Sequence, residues 1–152
     1  MLTSETGTTG AIRTMKLRAT YQGGVRYDIT SGRHHLVTDQ PVPDGGEDAG
    51  MSPVELFVGS IAACVAYFVG RFCARHDIPR EGLAVETEWT MEEGPHRVGH
   101  IELVVHLPQP VPPELKDRLL KTAQRCTVHQ SIVTGPTIDI SLHQAGRDEA
   151  AP

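Results

Sequence analysis

The longest apolar run in the chain spans residues 52–76, and from Val54 to Val69 its apolar residues fall on every side of a helical projection. This pattern is typical of a helix that is enclosed by protein or lipid rather than one that lies on a surface. Ser52 suits the position before a helix, and Pro53 suits the first turn. The pattern therefore predicts one buried helix of roughly 20 residues.

A membrane span is the alternative for this run. It is disfavoured because polar residues and glycines interrupt the run, which falls at the short edge of the ~20 apolar residues that a bilayer requires. The interrupting residues are Glu55, Gly59, Ser60 and Gly70. Arg71, Arg75 and His76 follow at the end of the run, where cations favour the C-terminus of a helix.

Alternation of apolar and polar residues predicts strands on both sides of this helix. Three short strands precede it, at 15–21, 25–30 and 35–38, and a Gly-, Pro- and Asp-rich loop at 39–51 leads into it. Two strands follow as a hairpin, at 83–91 and 98–107, and a last strand is expected at 137–142. Hairpins joined by isolated helices indicate an α+β fold rather than alternating βαβ units.

A second, amphipathic helix is predicted to begin at Pro113 and Glu114. Its apolar stripe, at helical spacing, consists of Leu115, Leu119, Thr122 and Cys126. Cys126 would thus close the apolar face of this helix.

The chain of 152 residues is long enough for one domain with a real core, expected at 13–143 between flexible tails at 1–12 and 144–152. The net charge of -5, the pI near 5.9 and the scattered cations argue against nucleic acid or an anionic membrane as a partner. Three cysteines without a recognisable export signal suggest free thiols in a reducing compartment, the cytoplasm.

Helical geometry separates two of the three cysteines. Cys64 and Cys73 are nine positions apart, which places them about 180° apart around one helix. Cys73 lies on a face of small residues that suits a helix contact, for which simple packing is the favoured interpretation. Cys64 lies on an apolar face that Cys126 could approach and that would surround a reactive sulfur, with Phe57, Ile61 and Phe68. From the residues alone, each thiol is more simply explained as buried and inert.

The order and sequences of these segments resemble the OsmC/Ohr family of osmotically inducible and organic hydroperoxide resistance proteins. The resemblance spans about residues 17–142 and rests on SPVELFVGSIAAC, which contains Cys64, and on AQRCTVHQSI, which contains Cys126. It implies antiparallel sheets wrapped around long central helices in an intertwined homodimer. The site residues of the family map onto this chain by position.

The resemblance implies that Cys64 is a peroxidatic cysteine, which attacks an organic hydroperoxide and becomes a sulfenic acid, and that Cys126 resolves it as a disulfide. An external dithiol would then reduce the pair, and no cofactor is implied. Phe57, Ile61 and Phe68 would contact the substrate. Thus the implied function is a thiol-dependent peroxidase in oxidative stress defence.

The family also uses an arginine on the early strands to stabilise the thiolate, for which Arg26 is the candidate and Arg33 the reserve. In the hydroperoxidase branch, a glutamate that orients this arginine lies ten residues before the peroxidatic cysteine. That position is Val54 here, and Glu55 follows it in a Pro-x-Glu-Leu sequence. Glu55 is therefore a doubtful orienting residue, and the alternative is a first-turn carboxylate that favours the helix dipole.

Other chemistry is less well supported by the sequence. His129 forms only a single Cys-x-x-His with Cys126, which is a weak zinc signal, so a local hydrogen bond is favoured. A Cys–His pair for acyl transfer lacks a recognisable third member. The alternative function is a non-catalytic dimer on the same fold that binds an apolar ligand or senses oxidants.

Overall fold

The computed structural model describes residues 14–144 and shows an α+β chain with antiparallel sheets, as the sequence predicts. The expected tails at 1–12 and 144–152 lie outside the described residues, apart from Gln144. The elements in chain order are β1 (Arg18–Gly23), β2 (Arg26–Ser31), β3 (His34–Thr38), α1 (Pro53–Arg75), β4 (Ala84–Glu92), β5 (Arg97–His106), α2 (Pro113–Gln124) and α3 (Thr127–Thr134).

The described part of the chain divides into two compact units, with the boundary between Phe57 and Val58. In the first unit, β1, β2 and β3 form an antiparallel sheet in that order, with Tyr27 opposite Tyr21 and Thr38 in the register. The three predicted strands are confirmed, each starting and ending within three residues of the expected bounds. Within the described part of this unit only Thr38 and Asp39 are buried, so the apolar side chains of this sheet remain accessible in the single chain.

The start of α1 is fixed by reciprocal hydrogen bonds between Ser52 and Glu55. The Ser52 backbone N–H donates to the Glu55 carboxylate at 2.7 Å, and the Glu55 backbone N–H donates to Ser52 Oγ at 3.3 Å. This is a capping box, which satisfies two backbone donors that the first turn would otherwise leave without partners. The predicted cap at Ser52 and first turn at Pro53 are confirmed.

The core of the second unit forms around the C-terminal two-thirds of α1. Val65, Val69, Phe72 and Cys73 of this helix are buried in one cluster together with Leu119 of α2. Burial of a side chain of this size contributes about 1.5–3 kcal/mol each relative to exposure. One face of α1 is therefore buried over this stretch. The predicted enclosure on every side is not found in the single chain, where Tyr67 of the same stretch is 58% exposed.

By length and composition α1 could also cross a membrane, since its most apolar 18-residue window has a mean hydropathy of 1.8. The core helix of a water-soluble protein can pass the same test. Within the chain 33% of this window is buried, and its buried residues belong to the core cluster.

The hairpin of the second unit pairs β4 with β5 in an antiparallel register. Val85 lies opposite Val105, Thr87 opposite Leu103, and Trp89 opposite Ile101. Val105, Leu103 and Ile101 are half-buried and pack against the core cluster, which confirms the predicted inward face of this strand.

The prediction that Cys126 closes the face of the second helix is wrong. α2 ends at Gln124, and Cys126 lies after it as the N-cap of α3, with backbone angles φ -59° and ψ 137° outside the helical region. The hydrophobic stripe correctly predicted that Cys126 faces the core. It did not predict the break in the helix, because α3 begins at Thr127, so soon after the end of α2 that the sequence carries no strong signal for two separate helices.

The predicted last strand at 137–142 is also wrong. These residues have no strand pairing, and Ile138, Ile140 and Leu142 are exposed, Ile140 by 94%. Alternation predicts which side chains share a face, but a strand also needs a hydrogen-bonding neighbour. No described strand of this chain pairs with the segment.

Candidate functional site

The thiols of Cys64 and Cys126 meet at the core of the second unit. α1 carries Cys64, which is half-buried beside the core cluster, and the α2–α3 junction carries Cys126, which is fully buried within that cluster. Cys64 packs against the core cluster that contains Cys126, and it lies near enough to Cys126 to raise the pKa of the Cys126 thiol. All three cysteines of the chain are free thiols. The structure thus brings together the two cysteines that the family resemblance pairs.

Cys126 is held by its position at the start of α3. Its sulfur accepts a hydrogen bond from the His129 backbone N–H at 3.2 Å, so the thiol acts as the cap of this helix. Burial raises the pKa of the Cys126 thiol above its ordinary value of 9.0; the His129 N–H opposes this rise, and the neighbouring Cys64 adds to it. Cys126 is accordingly a protonated thiol at neutral pH.

His129 forms the local hydrogen bonds that the sequence favours. Its Nδ1–H donates to the Gln124 carbonyl oxygen at 2.8 Å, which ties α3 back to the end of α2. In the part of the chain that the structure describes, no group of three or more His, Cys, Asp or Glu residues could hold a metal ion. His129 therefore positions the turn that carries Cys126.

Cys73 has no exposed surface and packs in the same core cluster as Cys126. Burial raises the pKa of its thiol, and the charge of Arg80 opposes this only in part. Simple packing, the favoured interpretation from the sequence, is confirmed for Cys73, because the chain's own core covers the thiol completely.

The predicted substrate-contacting residues have different surroundings. Ile61 is buried in the core cluster, Phe57 is exposed, and Phe68 is half-buried. Phe68 also lines a cavity of about 630 Å³ between α1 and α2. The expectation that the cations of the chain are scattered fails at this cavity, because five of them line it.

Arg26 lies in the first unit, at the start of β2. Its guanidinium forms an ion pair with Glu47 at 3.1 Å and lowers the pKa of the nearby Asp39 carboxyl. Arg33, the reserve candidate, lies exposed in the turn between β2 and β3. The stabilisation of the Cys64 thiolate by either arginine stays a prediction.

Asp39 organises the loop that follows β3, a role that no sequence pattern predicts. The side chain is only 1% exposed, and its carboxylate accepts hydrogen bonds from the backbone N–H groups of Gln40, Glu47 and Ala49 at 2.8, 3.0 and 3.1 Å. Gly46 is required in this loop, because a Cβ there would lie 1.8 Å from the Gln40 carbonyl oxygen. The loop thus places Glu47 beside Arg26.

The carboxylate of Glu55, the doubtful orienting residue, accepts the capping hydrogen bond from Ser52. This bond and the Ser52 side chain lower the pKa of the Glu55 carboxyl. The arrangement is the one expected of a first-turn carboxylate, and a signal for it was present in the sequence as Ser-x-x-Glu. An orienting role toward Arg26 remains a prediction.

Comparison with known proteins supports the architecture and the resemblance. The family model described as OsmC-like protein matches residues 45–141. No curated protein matches the chain. Among solved structures, an osmotic stress induced and detoxification response protein from Psychrobacter arcticus 273-4 superposes with a TM-score of 0.72 at 25% identity, over 79% of this chain and 90% of that one.

Two further structures are similar in fold. An organic hydroperoxide resistance protein OsmC from Legionella pneumophila has a TM-score of 0.61 at 22% identity, over 80% of this chain and 90% of that one. An organic hydroperoxide resistance protein from Elizabethkingia anophelis has a TM-score of 0.61 at 22% identity, over 81% of this chain and 90% of that one.

The hydrogen bonds of Asp39 predict a pH-dependent contribution to stability. Burial tends to raise the pKa of this carboxyl, but the three N–H donors and Arg26 together hold it below the ordinary value of 3.8. A depressed folded-state pKa means that the stabilisation is complete above the unfolded-state pKa of about 3.9 and is lost as the pH falls through the folded-state value. Asp39→Asn should therefore lower the urea midpoint at pH 7, and the difference from the wild type should shrink below pH 4.

Asp44→Asn is the matched control for this experiment, because Asp44 is an exposed carboxylate in the same loop. Its urea midpoint should follow the wild type at each pH. An Asp39→Asn midpoint equal to the wild type at pH 7 would show that the carboxylate does not hold the loop.

Proposed function

Because this chain belongs to the OsmC-like protein family, we propose that it is a thiol-dependent peroxidase that reduces organic hydroperoxides in defence against oxidative stress. The observation that carries the proposal is that Cys64 packs against the core cluster that contains the buried Cys126, in the second unit. The names of the hydroperoxide resistance proteins from Legionella pneumophila and Elizabethkingia anophelis support the class of substrate.

In the first step, the Cys64 thiolate attacks the terminal peroxide oxygen. The O–O bond breaks, the sulfur is oxidised to a sulfenic acid, and the alkoxide takes up a proton and leaves as an alcohol. The greater accessibility of Cys64 supports this assignment, since Cys126 and Cys73 are fully buried. Arg26 is the proposed cation that favours the thiolate, because a guanidinium also suits contact with a peroxide oxygen.

In the second step, the Cys126 thiolate attacks the sulfur of the Cys64 sulfenic acid. A disulfide forms, and the hydroxyl group leaves as water after protonation. The packing of Cys64 against the cluster that contains Cys126 supports this step, because it places the two residues on neighbouring elements of one core. An external dithiol of the reducing cytoplasm then restores both thiols and is itself oxidised. The proposed cycle needs no metal or organic cofactor.

We place this chemistry in a homodimer. The apolar side chains of the first unit are accessible in the single chain, as are those of the unpaired segment at 137–142. A three-stranded sheet needs an apolar face covered to be stable, and exposed apolar patches of this kind mark interaction sites. A second copy would supply the cover, which is the arrangement that the family resemblance implies.

The assignment of the nucleophile predicts how cysteine substitutions affect turnover. With excess dithiothreitol and cumene hydroperoxide, Cys64→Ser should lower the rate of peroxide consumption by about 100-fold or more, because it removes the attacking sulfur. Cys73→Ala is the matched control and should retain the wild-type rate to within about twofold, since Cys73 only fills the core. Peroxide consumption is followed by a ferrous dye assay.

Turnover by Cys64→Ser at the wild-type rate would refute this nucleophile. Oxidation of the wild type by one equivalent of hydroperoxide without further turnover would contradict the peroxidase and favour an oxidant sensor. A protein that does not react at all would exclude both redox functions.

The raised pKa of Cys126 predicts the pH dependence of the second step. Because the thiolate is the attacking species and the Cys126 thiol is protonated at neutral pH, the rate of disulfide formation should rise about tenfold per pH unit between about pH 7 and 8.5. To measure the rate, the protein is mixed with one equivalent of hydroperoxide and the reaction is stopped with acid at set times. The thiols that remain at each time are then counted. A rate that does not change with pH would contradict resolution by a buried, protonated Cys126.

A further inference from the structure

A strongly basic cavity lies between α1 and α2 in the second unit, with a volume of about 630 Å³. Cavities of 300–1,000 Å³ are the usual size for small-molecule sites, as a rough guide. Among the described residues, its lining includes no carboxylate but five Lys or Arg residues: Arg71, Arg75, Arg118, Lys121 and Arg125. This concentration of positive charge stands out in a chain whose net charge is -5.

Among the residues that the structure describes, these five cations have no acidic partner. Within residues 14–144, no carboxylate oxygen lies within 4.0 Å of any of them, whereas Arg26 and Arg97 elsewhere form ion pairs with Glu47 and Glu92. Arg71 instead lies over the Tyr67 ring, 5.6 Å from its centroid, and donates to the Tyr67 hydroxyl at 3.4 Å. The cavity therefore carries positive charge that this part of the chain does not neutralise.

The helix dipoles explain the charge only in part. Arg75 ends α1, Lys121 lies in the last turn of α2, and Arg125 follows α2, so each is near a helix C-terminus. Each C-terminus supplies only about half a unit of negative charge, which leaves the cations in excess. Like charges around one concave surface repel each other, and a bound anion would remove that repulsion.

Arginine side chains suit phosphate in particular, because the planar guanidinium donates two parallel hydrogen bonds to its oxygens. The cavity also has an aromatic wall. Phe68 and Phe72 line it, and Phe72 stacks on His76 with the ring centroids 4.1 Å apart and the planes at 22°. The His76 Nδ1–H donates to the Phe72 carbonyl oxygen at 2.8 Å, which fixes the imidazole in this stack.

From this combination we propose that the cavity binds a small organic polyphosphate, a molecule in which two or more phosphate groups are joined to an aromatic part. The cations of α1 and α2 hold the phosphate groups, and the aromatic wall contacts the remainder. This site does not depend on the proposed peroxidase, although Phe68 lies one helical turn from Cys64.

Isothermal titration calorimetry on the reduced full chain tests the proposal with ATP, tripolyphosphate and adenosine as probes at fixed salt. ATP should bind with one site per chain, and adenosine should give no measurable binding. Tripolyphosphate should bind about threefold or more weakly than ATP, because it lacks the aromatic contact. Equal affinity of ATP and tripolyphosphate would contradict the aromatic part of the site, and equal affinity of ATP and adenosine would contradict the role of phosphate.

The double variant Arg118→Gln/Lys121→Gln should weaken ATP binding by about tenfold or more, because it removes two of the five charges. Lys116→Gln is the matched control, since Lys116 is an exposed cation of α2 that does not line the cavity. Equal weakening by both variants would show attraction to surface charge alone and would overturn the site. Circular dichroism checks that each variant folds. If the double variant does not fold, Arg71→Gln on α1 provides a separate test and should also weaken ATP binding.

Cys64→Ser separates this proposal from the peroxidase. Its ATP affinity should equal that of the wild type even though its peroxide consumption is lost. No saturable ATP binding to either protein would overturn the polyphosphate site and leave the redox proposal to its own test.

Discussion

The packing of α1 against the α2–α3 junction is the contact on which both candidate sites depend. Val69, Phe72 and Cys73 of α1 share one core cluster with Leu119 of α2 and with Cys126. This burial brings the Cys126 thiol to Cys64, and it leaves the basic cavity at the neighbouring surface of the two helices. Replacing a buried leucine of this kind by alanine typically costs about 2–5 kcal/mol, so the core that stabilises the unit also sets the geometry of its sites.

The two ends of the Cys64–Cys126 pair differ in their physical state, and that difference suits two roles. Cys126 is dry, protonated and fixed as the cap of α3 by the His129 N–H, whereas Cys64 is partly accessible on α1. A peroxide can reach only an accessible sulfur, and a resolving thiol needs to react only with its neighbour. In the first unit, Asp39 holds a loop that sets Glu47 beside Arg26, so this arginine is also part of an ordered cluster of charges.

Much of this arrangement could be predicted from the sequence because it follows from local patterns. The long apolar run predicted α1, and the alternation of apolar and polar residues predicted β1 to β5. The nine-residue spacing of Cys64 and Cys73 predicted that they lie on different faces of α1. The break before Cys126 and the absence of a strand at 137–142 depend on tertiary contacts, which alternation does not encode. The basic cavity was predictable only in part. Each of the two helices carries its cations at helical spacing, so each row could be found in the sequence. Only the packing of α1 against α2 shows that both rows line one cavity.

The most direct test of the central claim is the identity of the bond that one equivalent of hydroperoxide produces. Intact mass measured without reductant should fall by two hydrogens, and peptide mapping should find Cys64 joined to Cys126, with Cys73 still a thiol. A disulfide that includes Cys73, or a sulfenic acid that persists at Cys64 with Cys126 unmodified, would contradict the account, because Cys64 and Cys126 would then not be the redox pair.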